Sequence, residues 1–88
     1  MLRENELVII KKLAKKYKLK KVFLFGSSAE GSEYNDIDLA VDGIEPGFFF
    51  NLYAELFKYL PKPVDLIDLK HKTAFNELIK ETGLKIYG

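Results

Sequence analysis

The sequence predicts an α/β (α+β) domain, a small mixed β-sheet with helices packed on it, in the order α-β-β-α-β-α with a possible short terminal β. Three observations predict this. Apolar residues recur at helical spacing in three separate stretches. Short apolar or alternating runs lie between and after them. Glycines and prolines fall at the joints.

Residues 3–17 read as a helix, because Leu7, Ile10, Leu13, Ala14 and Tyr17 share one face and lysines fill the other. Val22-Phe23-Leu24-Phe25 is a continuous apolar run and fits a strand buried on both faces. Gly26 to Asn35 reads as a loop, rich in glycine and serine. In residues 36–41, Ile37, Leu39 and Val41 share one strand face, and Asp36, Asp38 and Ala40 share the other. Asp42-Gly43 and Pro46-Gly47 are turn signals. Phe49, Leu52, Tyr53, Leu56, Phe57 and Leu60 then mark a second amphipathic helix, ended by Pro61 and Pro63. Residues 64–69 form a third strand. Residues 73–81 form a third helix through Phe75, Leu78 and Ile79. Gly83 stands where a left-handed cap would fall, with Leu84 over it. Lys85-Ile86-Tyr87 reads as a last short strand.

A chain of 88 residues predicts one domain, spanning 1–88. The balance of 48% apolar and 31% charged residues is that of a globular protein, not a disordered one. Without cysteine there is no disulfide framework, thiolate metal site or thiol nucleophile. The apolar runs are too short to cross a bilayer and no signal peptide is visible, so a cytoplasmic protein without membrane contact is expected. Net charge is +1, but the charges are segregated. Lysines crowd residues 11–21, whereas residues 26–45 hold Glu30, Glu33, Asp36, Asp38, Asp42 and Glu45 with no Lys or Arg. The lysines read first as a solvated helix face and second as a patch for RNA or an acidic partner. Nucleic acid is therefore a possible but not a favoured partner.

The acidic block carries the chemistry. Two carboxylates at i and i+2 on a strand have Cα atoms about 6.5–7 Å apart. Asp36 and Asp38 can therefore converge on one metal, and a third carboxylate from a neighbouring strand can complete a two-metal site. Oxygen ligands suit Mg²⁺ or Mn²⁺. Gly26 lets the backbone approach a phosphate closely, and Ser27 adds a hydroxyl donor. Taken singly, each piece also has a plain reading. Asp-x-Asp fits a solvated strand face, and Gly-Ser fits an ordinary turn. Asp65 and Asp68 fit the surface, or Asp68 the start of the next helix.

In this order the pieces resemble a minimal nucleotidyltransferase (MNT-type) domain of the DNA polymerase β-like superfamily. Phe23-Leu24-Phe25-Gly26-Ser27 matches the strand that ends in Gly-Ser, and Asp36-Ile37-Asp38-Leu39-Ala40-Val41 matches the Asp-x-Asp strand. Val64-Asp65-Leu66 resembles the later strand, which puts Asp65 in the place of the third carboxylate. The closing residues 81–88 also resemble the family, and the likeness spans roughly residues 5–88. It implies transfer of a nucleoside monophosphate, AMP from ATP with Mg²⁺ (or Mn²⁺), to a hydroxyl acceptor. Asp36, Asp38 and Asp65 would be catalytic and would ligate the metal, and Gly26 and Ser27 would hold the triphosphate.

Small domains of this type are typically encoded with a HEPN-domain protein and act as its antitoxin, so the resemblance implies a HEPN partner that presents the acceptor. Family members commonly carry Arg or Lys where this chain has Glu30, the loop is shorter than usual, and Asn35 replaces a frequent Ser. These departures keep a second reading open: a protein of the same fold, with weak or no catalysis, that neutralises its partner by binding. A homo-oligomer also stays open.

Three further readings concern single residues. Tyr34 reads as a turn-flanking surface tyrosine, with base stacking as the alternative. His71 reads as exposed. Phe48, Phe50 and Tyr59 lie off the main stripe of the second helix, as helix-end core or as an exposed patch.

Overall fold

The computed structural model describes residues 2–30 and 34–88, with Ser27 and Glu30 described by backbone alone. The elements are α1 (Glu4–Lys16), β1 (Lys21–Phe25), α2 (Ser27–Glu30), β2 (Ile37–Asp42), α3 (Phe49–Tyr59), β3 (Val64–Asp68), α4 (Ala74–Thr82) and β4 (Leu84–Tyr87). The predicted order holds, with one addition. The segment expected to be wholly loop after β1 opens with the single turn α2, where Ala29 N–H donates to Gly26 O at 3.1 Å. One turn is too short for a periodic pattern to announce it.

The four-stranded sheet has the order β3-β2-β1-β4. β1 runs antiparallel to both β2 and β4, while β2 and β3 are parallel and connected through α3. α1 and α3 cover one face. There Ile10, Leu13 and Ala14 meet Val22, Leu24, Ile37, Leu39, Val41, Leu52, Leu56, Val64 and Leu66 in the main core. The other face carries a smaller cluster of Phe23, Ala40, Leu69 and Ile79, the last from α4. The strand alternation read from the sequence thus holds, with Ile37, Leu39 and Val41 beneath α1 and α3, and Ala40 beneath α4.

Polar ties fix the helices to this frame. The Tyr17 hydroxyl donates to Glu55 Oε2, and Lys16 Nζ lies 2.6 Å from Glu55 Oε1, which joins α1 to α3. Tyr53 Oη donates to Val64 O at 2.7 Å. Thr73 caps α4 by accepting the Asn76 N–H at 3.1 Å, and the buried Asn76 amide donates to Asp68 O and His71 O.

Some sequence expectations change. Phe57, expected on the buried stripe of α3, is 60% exposed, and Phe75 and Leu78 of α4 are 51% and 53% exposed. A short helix on a small sheet has room to bury only the residues directly above the strands, here Leu52 and Leu56 in α3 and Ile79 in α4. Phe48, Phe50 and Tyr59 are exposed rather than helix-end core. Gly83 is not a left-handed cap, since its φ is −67° and ψ 156°. A Cβ there would stand 2.6 Å from Ile79 O, so close approach of the helix end accounts for the glycine. Leu84 is correspondingly half-exposed. No helix among the described residues is long and apolar enough to cross a membrane.

Candidate active site

β1, β2 and β3 deliver a row of three registered residues. Phe25 pairs with Asp38 across the antiparallel ladder, and Asp38 pairs with Asp65 across the parallel one. Asp38 and Asp65 therefore share the face that α4 covers further along, at the end of the sheet where β2 and β3 begin. Phe25 closes one side of the row, stacked edge-to-face on Phe75 at 5.8 Å.

The two carboxyl groups lie within hydrogen-bonding reach. Burial, then the hydrogen bond to Asp65, then the charges of Asp65 and Asp36 push the Asp38 carboxyl above its ordinary value. Among the described residues none of Asp36, Asp38 and Asp65 is in a salt bridge.

Asp36 differs from the expectation in one respect. It lies one residue before β2 rather than within it, and it is exposed, so the strand period does not fix its side chain beside Asp38. It acts on Asp38 through its charge. No three His, Cys, Asp or Glu side chains among the described residues are gathered as a metal-holding group. The donor chemistry nonetheless fits a hard divalent cation. Oxygen ligands in mutual repulsion are relieved by bound positive charge, and a cation can draw an exposed Asp36 inward.

Gly26 follows Phe25 at once and has φ +67°, a conformation that favours glycine. A side chain there would collide with Asp38 Oδ2, and the Asp38 Cγ would stand only 3.2 Å from its Cβ. Glycine thus lets the Asp38 carboxylate pack directly against the turn. Ser27 begins α2, and its side chain lies outside the described atoms, as do the Glu30 side chain and residues 31–33.

The sequence reading missed Ser28. This fully buried serine donates from Oγ to Phe25 O at 3.0 Å and accepts the Asp38 N–H at 3.2 Å. It therefore pins the end of β1 to the start of β2 at the carboxylate. Only its position next to Gly26-Ser27 could have hinted at this role. Asp68, the other aspartate of β3, sits at the far end of the strand. Its Oδ1 accepts the Lys70 N–H at 3.0 Å, so it holds the turn after β3, while Thr73 starts α4. A groove of about 440 Å³ near Asp68, Lys70 and His71 lies past the other ends of β2 and β3 and holds none of the predicted site residues.

Residues 8–88 match the family model described as Polymerase beta, Nucleotidyltransferase. The chain belongs to this family. As a nucleotidyltransferase it is similar to a protein of Methanocaldococcus jannaschii named "Putative protein adenylyltransferase", at 41% identity over 78 residues, covering 82% of this chain and 78% of the relative. Two solved structures extend the comparison. A chain of a toxin–antitoxin crystal structure with AMP-PNP superposes with a TM-score of 0.77 at 30% identity, covering 99% of this chain and 74% of the other. A chain of the structure described as tri-AMPylated Shewanella oneidensis HEPN toxin in complex with MNT antitoxin gives a TM-score of 0.73 at 29% identity, covering 94% of this nucleotidyltransferase and 70% of the other chain.

Proposed function

We propose that this nucleotidyltransferase moves AMP from ATP to a hydroxyl group on a HEPN-domain partner protein, and so acts as the antitoxin of a toxin–antitoxin pair. The observation that carries the reading is the registered Asp38–Asp65 pair beside the turn at Gly26. The AMP-PNP complex and the tri-AMPylated toxin among the similar structures support a nucleotide substrate and a protein acceptor of this class.

In this reading Asp36, Asp38 and Asp65 would hold Mg²⁺ or Mn²⁺, which would supply positive charge to offset that of the triphosphate. The Gly26 backbone and the Ser27 hydroxyl receive the triphosphate. Asp65 accepts the proton of the acceptor hydroxyl as its oxygen bonds to the α-phosphorus. The bond from that phosphorus to the bridging oxygen of the β-phosphate breaks, and pyrophosphate leaves. Positioning and charge neutralisation supply most of the rate, as in other phosphoryl transfers. That the described strands share one sheet supports residues 1–88 as a single domain. Cytoplasmic placement is part of the same proposal.

The binding-only reading draws on the exposed outer face of α3, where Phe50 is 79% and Phe57 60% exposed, a surface suited to a protein partner. One experiment separates the two. The protein that co-purifies with this chain from its native host is mixed with it, Mg²⁺ and α-³²P-labelled ATP. Label on the partner, lost with Asp38→Asn and with Asp65→Asn, supports transfer. A partner that is neutralised without label, and equally well by Asp38→Asn, overturns transfer in favour of binding.

A further inference from the structure

Glu6 is the one fully buried charged side chain among the described residues, at 0% exposed. Its place in the first turn of α1 gives a partial reason: Oε1 accepts the Arg3 N–H at 2.8 Å and so closes the helix start. An exposed glutamate would do that equally well, without the cost of removing a charge from water. The other contacts explain the burial. The Tyr34 hydroxyl donates to Glu6 Oε1, and Lys62 Nζ lies 3.4 Å from Glu6 Oε2. Lys62 Nζ also stands 4.4 Å from the centre of the Tyr34 ring. Burial pushes the Glu6 carboxyl up, but these donors and the Lys62 charge outweigh it and hold the group below its ordinary value, as an anion.

Tyr34 and Lys62 belong to the two segments that lead into the carboxylate site. Tyr34 stands two residues before Asp36, where the chain turns into β2. Lys62 stands three residues before Asp65, held between Pro61 and Pro63 just ahead of β3. The segments are bonded to each other as well, for Ile37 N–H donates to Pro63 O at 2.9 Å. Glu6 thus reaches from a third element and grips both of these segments at once. Tyr34 is accordingly half-buried against the core with its hydroxyl on Glu6, where the sequence reading expected a surface residue.

We propose that Glu6, through Tyr34 and Lys62, is the positioning residue that holds the Asp36 segment in place beside the registered Asp38–Asp65 pair. This rests on the reading of those aspartates as metal ligands. Burying a charge costs stability, and Lys62 is 26% exposed and 3.4 Å away, so the burial of Glu6 is better explained by a requirement for fixed geometry than by the ion pair. Residues that orient metal ligands typically change metal affinity about 10- to 100-fold when altered.

The test compares Glu6→Gln, Tyr34→Phe and Asp38→Asn in the full chain. Mn²⁺ affinity is measured without nucleotide by electron paramagnetic resonance, and thermal melting is followed in parallel. Expected are an approximately 10-fold weaker Mn²⁺ affinity in Glu6→Gln and a smaller loss in Tyr34→Phe, each in folded protein, and loss of specific binding in Asp38→Asn. Tyr34→Phe removes one hydroxyl and carries the test if Glu6→Gln does not fold. Lowered melting temperatures with unchanged Mn²⁺ affinity, while Asp38→Asn loses it, would overturn the positioning role and leave the metal site standing. Unchanged Mn²⁺ affinity in Asp38→Asn would remove the site reading, and this inference with it.

Discussion

Asp38 and Asp65 are direct partners in the parallel register of β2 and β3, so their carboxyl groups leave the sheet on the same face, one strand apart. The folded chain raises the Asp38 pKa, and therefore holds that proton more tightly than the unfolded chain does. By linkage, stability is greatest below the ordinary carboxylate pKa and falls as pH rises through the raised folded value. Above that value the penalty is fully present. In the presence of EDTA, Asp38→Asn is expected to melt above the wild type at pH 7. The gap should close as the pH falls below the ordinary Asp range, about 3.9. Calorimetry across this range measures it, and equal melting temperatures at pH 7 would contradict the repulsion.

Metal and nucleotide should reverse that order. A ligand that binds only the native state stabilises it by about 2.7 kcal/mol at one hundred times its Kd. Mg²⁺ with ATP at millimolar concentration is expected to raise the wild-type melting temperature and to leave Asp38→Asn unmoved. A wild type with no thermal response would remove support for catalysis and strengthen the binding-only reading.

At Gly26, alanine meets two obstacles, a φ of +67° and the Asp38 carboxylate where its methyl must go. The left-handed conformation alone costs about 1–2 kcal/mol. Gly26→Ala should be destabilised by at least that much in urea titrations. Transfer activity should fall further than stability, because the methyl must displace the Asp38 carboxylate. A variant of full activity would show that this placement of the carboxylate is not needed.

Ser28→Ala leaves the part-buried Asp38 N–H without its partner, at a cost of about 1 kcal/mol. The loss should appear in denaturant titrations. Hydrogen exchange should localise it to the Asp38 amide, which becomes less protected than its neighbours in β2. Uniform loss of protection across the sheet would count against a local pin.

Tyr17 gives a prediction far from the site. Burial and the bond to Glu55 push its phenol up to about 12. The folded chain keeps this proton longer than the unfolded one, so stability falls as pH rises from about 10 toward 12. Tyr17→Phe removes the linkage and should flatten that part of the stability profile. Ultraviolet titration should show one fewer late-titrating tyrosine.

Much of this fold was legible because its signals are local. The alternation of Ile37, Leu39 and Val41 against Asp38 and Ala40 marked both faces of β2 correctly, and Gly26 marked the turn. What stayed hidden depends on partners remote in sequence. Nothing near Glu6 shows that Tyr34 and Lys62 will bury it. Nothing near Phe57, Phe75 or Leu78 shows that the sheet is too small to cover them. The role of Ser28 depends on β1 and β2 meeting at one residue, which no periodicity encodes. At the candidate site the sequence expected three acids together, and the fold registers Asp38 with Asp65. The sequence could not show that Asp36 falls just outside the strand.

The two neighbours of β1 impose an order on folding. Leu24 pairs on one side with Leu39, from the next strand along the chain, and on the other with Leu84, from the last. Loop-closure entropy favours the nearer pairing, so the β1–β2 ladder is the early one and β4 docks late. Until it does, β1 presents an unpaired edge built on Val22-Phe23-Leu24-Phe25, apolar on both faces and uncharged over those four residues. Such an edge is a template for intermolecular strand addition. The aggregation-prone species of this protein is therefore one in which the Gly26 turn and Asp38 are already in place, while β1 still waits for its final strand.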